Sequence, residues 1–239
     1  TVPLDGWYTN QRAAELFRNN PARLSLCIHG NDHTKRELAQ TLSATERVTL
    51  LRQALRRAEK LEQGAGVPVS RVMVPPHGAC SHEMLQDMPG CGFESACISH
   101  GSLRSHNRQQ AWTASLGYQP VSHIAGCPVL PRWGFVGTTE NTILLAAFLD
   151  QALVLRGHHQ DLKDGIELMD EFARLINGLG PVNWTNMADI SRQCFFSSSN
   201  NGTVRVRPWV NRIALARPSA EMNFVVEEAP GVAPGPWRV

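Results

Sequence analysis

The stretch Leu24-Ser-Leu-Cys-Ile-His-Gly-Asn-Asp-His-Thr34 joins a strand signal to a chemical one. Leu24–Ile28 is a short apolar run, the pattern of a buried strand. It ends in His29, and His33 follows four residues later, at the mouth of what reads as a helical segment. Gly30 lets the backbone turn sharply between them. The spacing can bring two imidazoles onto one side of a turn, where they can share a metal ion. As neutral ligands they suit Zn²⁺ or a similar divalent cation. A catalytic ion also needs a carboxylate or third histidine and an open position for water. Asp32 faces elsewhere on this spacing and has a plainer reading as a helix-start acid beside Thr34.

Outward from this stretch, strand and helix signals alternate. Val2–Trp7 reads as a strand and Asn10–Asn19 as a helix. Thr45–Gln63 is the strongest helix, with Val48, Leu51, Leu55, Ala58 and Leu61 at helical spacing and Gly64 and Gly66 as its stop. Ser70–Val74 reads as a strand ending at Pro75-Pro76, Ser81–Met88 as a helix capped by Ser81, and Phe93–Ile98 as a strand. Residues 99–139 hold no period and read as a long loop set with one or two short strands. Asn141–Asp150 is then a helix, Ala152–Arg156 a strand, Asp164–Leu179 a helix, Val182–Trp184 a short strand and Met187–Phe195 a last helix. After Asn200-Asn201-Gly202 the period changes to two, so that Thr203–Arg207, Arg212–Ala216 and Asn223–Glu227 read as antiparallel strands. The polar run Ser197–Gly202 is the expected boundary between a main domain, residues 1–198, and a small β appendage, residues 199–239. The βα alternation predicts an α/β fold, either an open parallel sheet or a (β/α) barrel. In both, function collects at the carboxyl ends of the strands.

At 239 residues, 42% of them hydrophobic and 18% charged, the chain can bury a full core. Its 23 basic and 21 acidic residues are too nearly balanced to point to nucleic acid or an anionic membrane. No apolar run approaches the length of a membrane span. Cys27, Cys80, Cys91, Cys97, Cys127 and Cys194 form no Cys-x-x-Cys pair and are expected as small buried thiols. Both ends read as cut from a longer chain, which leaves the compartment open.

Two further strand ends carry histidine. One is Pro75-Pro-His-Gly78, the other Gly157-His-His-Gln-Asp161. With parallel strands, all three loops open onto one face and gather five of the nine histidines. Any one of these could be an ordinary surface or core residue, but packing does not require histidine at three strand ends. His158 or His159 could act as a general acid. Asp161 and Asp164 are more cheaply helix-start residues, although one could orient a histidine. Pro76 and His77 could line the pocket, with a plain turn as the alternative. Trp184 could offer a flat face to a sugar ring, with a core tryptophan as the plainer reading.

These motifs, in this order, resemble the polysaccharide deacetylase family, also called NodB-like or carbohydrate esterase family four. The likeness covers about residues 1–196. His29-x-x-x-His33 is similar to the family's metal-binding motif, Pro75-Pro76-His77-Gly78 to its substrate-groove motif, and Leu155-Arg-Gly-His-His159 to the late strand carrying the catalytic histidine. The segments Asp164-Gly-Ile-Glu-Leu and Ile176–Trp184 resemble the last helix and strand. The resemblance implies an irregular (β/α) barrel and a metal-dependent hydrolase that removes N-acetyl groups from a carbohydrate, acting on a non-peptide carbon–nitrogen bond. It implies a divalent metal, Zn²⁺ above all, on His29 and His33, and an acid at His158 or His159. The family opens with a strand bearing two adjacent aspartates, and this chain has no Asp-Asp pair. Asp5 lies too close to His29 to take that place, so Val2–Trp7 is expected as the second strand of a barrel incomplete at its N-terminus. Val74 stands where the family usually has an arginine.

Two other readings remain open. One is a non-catalytic carbohydrate-binding or scaffold domain that keeps the barrel without its acids. The other is an unrelated metal-dependent hydrolase on a similar barrel. The arginines Arg205, Arg207, Arg212 and Arg217 near the end read as a solvated face.

Overall fold

A computed structural model of the chain describes residues 10–112, 114, 116–163, 165–215 and 223–228. The expected strand Val2–Trp7, with Asp5, lies outside them, as do Asp164 and Arg217.

Helix α1 spans Gln11–Asn19, with the Asn10 side chain accepting from the Ala13 amide. Strand β1 is Leu26–Ile28, the apolar run that ends in His29. The residues after His33 do not begin a helix. They form turns in which Leu38 bridges to Cys80. Their amides make isolated turn bonds, Glu37 to the Thr34 carbonyl at 3.2 Å and Ala39 to the Arg36 carbonyl at 2.8 Å, while the Thr34 amide is taken by a side chain. Helix α2, Ala44–Ala65, starts at a capping box in which Ser43 and Glu46 each satisfy the other's backbone amide. It stops at Gly66, whose φ of 64° places it in the left-handed region. Strand β2 is Val69–Met73, followed by a 3₁₀ turn at Pro76–Gly78; α3, capped by Ser81, is His82–Cys91, and β3 is Ser95–Cys97.

Residues 99–139 are more ordered than their composition predicts. They hold helix α4, His100–His106, and strands β4, Ser122–Ile124, β5, Cys127–Leu130, and β6, Trp133–Gly134. Then follow α5, Glu140–Phe148; β7, Leu155–Arg156; a 3₁₀ turn, His159–Leu162; α6, Glu167–Asn177; and α7, Met187–Arg192. Val182–Trp184 has no strand partner and is an irregular connection. The last strands are β8, Phe195–Asn200; β9, Thr203–Pro208; and β10, Asn223–Val226.

The described strands build a mixed α/β molecule with three sheets. The main one has the order β1-β2-β3-β5-β4, parallel except for β4, which turns back against β5. Pro131 and Arg132 then interrupt the run, and β6 pairs in parallel with β7. In the C-terminal sheet, order β10-β9-β8, the β8–β9 hairpin is antiparallel, whereas β10 runs parallel to β9. Of the expected strand Arg212–Ala216, the described residues 212–215 lie in no ladder. The division expected at 198/199 falls inside β8, whose pairing with β9 runs through it.

Adjacent residues of the main sheet face opposite ways, and the two faces have separate cores. Met73, Ala96 and Val129 pack with Leu51, Leu55 and Ala58 of α2 and with Met84, Leu85 and Met88 of α3. Val72, Cys97 and Leu130 face Val154, Trp209 and Val210, with Met187 and Ile190 of α7 against them. Arg192 of α7 is tied to Glu94 at 2.6 Å. All six cysteines are free thiols, and burial pushes those of Cys97 and Cys127 up to about 12. Among the described residues no helix is long and apolar enough to cross a membrane.

These contacts set the expected stability effects. Leu51 is fully buried between helix and sheet, so Leu51→Ala should cost roughly 2–5 kcal/mol in urea unfolding. Ser43→Ala, which removes only the cap, should cost about 1 kcal/mol.

Candidate functional site

The parallel strands bring the ends of β1, β2 and β5 to one rim. His29 follows β1, and its Nδ1 lies 2.7 Å from the Val74 carbonyl at the end of β2. A carbonyl can only accept, so Nδ1 carries the proton and a neutral ring presents Nε2 as a lone pair. The His33 ring centroid is 4.9 Å from that of His29, and the His77 ring is 5.4 Å from that of His33. Three imidazoles from two loops therefore stand in a row. His33 and His77 both lie in the left-handed backbone region, with φ of 54° and 55°. For non-glycine residues this costs about 1–2 kcal/mol each, so the surrounding structure must hold them.

The holding groups are identifiable. Glu37, only 3% exposed, accepts from the Asn31 amide, from the Asp32 amide at 3.1 Å and from the Thr34 amide at 3.0 Å. One carboxylate thus gathers three amides of the loop. Arg57 of α2 reaches the Asn31 carbonyl and pairs with Asp32 at 2.8 Å. Asp32 therefore anchors the loop to α2 and does not cap a helix. Gly30, with φ 74°, packs so closely that a Cβ there would sit 2.6 Å from both Glu37 Oε1 and the Pro76 ring. Pro76 is buried and acts as the floor of the loop, while His77 is exposed beside it.

Arg132, at the joint between β5 and β6, is 8% exposed. Its Nη2 lies 3.5 Å from the Pro75 carbonyl, a long contact, and its Nε is buried without a partner. Burial lowers its pKa, the positive charge of Arg156 acts the same way, and the Cys97 and Cys27 sulfurs oppose. Burial also lowers the pKa of His29 from 6.5; the Val74 carbonyl opposes this, and the charges of His33 and Arg132 add to it. The direction favours the neutral ring, the form a metal requires.

His158 and His159 lie at the end of β7, both exposed. The His158 side chain is 67% exposed, its amide donates to Asp161 Oδ2 at 2.8 Å, and its ring Nδ1 is 3.8 Å from that oxygen. No contact joins either residue to His29, His33 or His77 among the described residues. Trp184 is not a core tryptophan. It is 54% exposed, donates from Nε1 to Asn177 at 2.8 Å, and lines an apolar cleft of about 680 Å³ with Leu155, Ile176 and Met187. None of the five rim histidines lines that cleft. Among the described residues no group of three histidine, cysteine or acidic side chains is arranged to hold a metal ion.

Sequence reasoning missed Glu37 and Arg132. Glu37 sits in Lys35-Arg36-Glu37, which has the look of surface charge. Arg132 ends the apolar run Cys127–Leu130, and the strand-end rule would have found it had that run been read as a strand. Comparisons with models of protein families, with curated proteins and with solved structures found no match to this chain.

Three outcomes follow from this geometry and burial. Glu37→Ala leaves three amides without their charged acceptor and should lower stability by roughly 2–3 kcal/mol or more. Gly30→Ala, strained in both φ and space, should be at least as damaging. The pKa values of His29, His100, His106 and His123 are all lowered, chiefly by burial. A depressed folded-state pKa means that the unfolded chain takes up protons first as pH falls. The melting temperature should thus hold above the ordinary histidine value of 6.5 and fall below it.

Proposed function

We propose that this chain is a metal-dependent hydrolase of the polysaccharide deacetylase type, acting on the N-acetyl groups of a carbohydrate. In this reading the five-stranded sheet and the β6–β7 pair are arcs of an irregular (β/α) barrel, and the C-terminal strands are its small appendage. The observation that carries it is the His29–His33 pair, 4.9 Å between ring centroids, with Nδ1 of His29 committed to the Val74 carbonyl. Two neutral imidazoles fit Zn²⁺ as part of a ligand set, and the described residues supply no carboxylate to complete it. A bound divalent ion there supplies polarisation of the acetyl carbonyl and a more acidic water.

The chain's own residues take the remaining roles. His77 and Pro76 shape the opening beside His33. His158 or His159 delivers a proton to the departing sugar nitrogen, with Asp161 orienting His158. Trp184 gives an exposed aromatic face for a sugar ring. A second reading, a non-catalytic carbohydrate-binding domain, draws support from Glu37. Its charge reaches His29, but the carboxylate is spent on three backbone amides.

The test is zinc stoichiometry together with acetate release from a chitooligosaccharide. One equivalent of zinc, lost in both His29→Ala and His33→Ala, and acetate release that stops with it are expected. Sugar binding that survives a chelator and yields no acetate would select the second reading. A protein that takes up neither zinc nor sugar overturns both.

A further inference from the structure

Arg132 is a charged side chain more than nine-tenths buried, and among the described residues no carboxylate lies within ion-pair distance of it. Of its five N–H donors, one has an acceptor, the Pro75 carbonyl at 3.5 Å, and Nε–H has none. The nearby charge is of the same sign: Arg156, the last residue of β7, acts on Arg132 electrostatically and reaches 3.6 Å from a Cβ built on Gly134. On its other side, Nη2 would lie 3.4 Å from a Cβ at Gly78, in the turn that carries His77. The chain thus holds a desolvated guanidinium beside the imidazole row, and among the described residues no acid meets its charge. Folding alone gives no return for that arrangement, since an apolar side chain would fill the joint at lower cost.

We propose that Arg132, with Arg156 beside it, binds a carboxylate of the ligand, so that the sugar received at this rim is an acidic one, a uronic-acid type of N-acetyl sugar. A guanidinium presents a planar fork that matches the two oxygens of a carboxylate. Arg156, exposed, draws the anion in, and Arg132 meets it. That the ligand is an N-acetyl sugar rests on the deacetylase reading; the carboxylate preference does not.

The experiment is an NMR titration of the metal-free protein with N-acetylglucosamine and with its C6 carboxylate analogue, N-acetylglucosaminuronate. The acid should bind about tenfold tighter or better, as one charge-assisted hydrogen-bonded pair implies. Arg132→Gln, checked for folding by circular dichroism, should erase that preference, and Arg156→Gln should reduce it about two- to threefold. If Arg132→Gln does not fold, the Arg156→Gln result decides. Equal affinity for the two sugars, or a preference untouched by the variants that fold, overturns the inference. Acetate release by the zinc-loaded enzyme is read separately. Release without any preference for the acid removes the inference and leaves the deacetylase reading in place. Preference for the acid without release from either sugar supports the inference and removes that reading.

Discussion

The bond from His29 Nδ1 to the Val74 carbonyl ties the end of β1 to the end of β2, and the geometry of the rim depends on it. It fixes the tautomer, aims Nε2 away from the backbone, and sets where His33 can stand. A carbonyl that has already ended its strand ladder is free to accept it, because Pro75 follows and the chain turns away. The two strands are neighbours in a parallel sheet, so the contact exists only when β1 and β2 are in register. Fold and site are therefore linked through one hydrogen bond.

Around that bond the loop is held by charge. Glu37 collects three amides, Arg57 closes on Asp32 and the Asn31 carbonyl, and Gly30 lies against Pro76. These groups offset the left-handed backbone of His33, which a free loop would relax. The result is a rim rich in cationic and imidazole side chains, with its own acid turned inward. This inward commitment of Glu37 is what keeps the non-catalytic reading alive. Arg132, to which no acid among the described residues is paired, is the ground for the proposal of an anionic ligand.

Much of the scaffold was legible because α2 and α3 repeat apolar residues at helical spacing and carry recognisable caps. The pair His29 and His33 was legible because an apolar run ended there. Other parts were hidden for physical reasons. Strands β4 and β5 are three and four residues long, too short to carry a period, and β5 is buried on both faces. Strand β8 is mostly exposed and rich in serine, and it reads as a linker because no face of it is dry. Val182 and Trp184 are large apolar residues two apart that line a cleft, so the segment mimics a strand. The parallel pairing of β10 depends on a crossover that no local pattern encodes. Glu37 could not be found from spacing, since its partners are backbone amides and any sequence supplies those.

The most direct measurement is ¹⁵N NMR of the histidine side chains during a zinc titration near neutral pH. The account predicts that His29 is the Nδ1–H tautomer before zinc is added. One equivalent should then shift His29 Nε2 together with a ring nitrogen of His33. An Nε2–H tautomer at His29, or zinc that moves other histidines and leaves this pair unchanged, would contradict it.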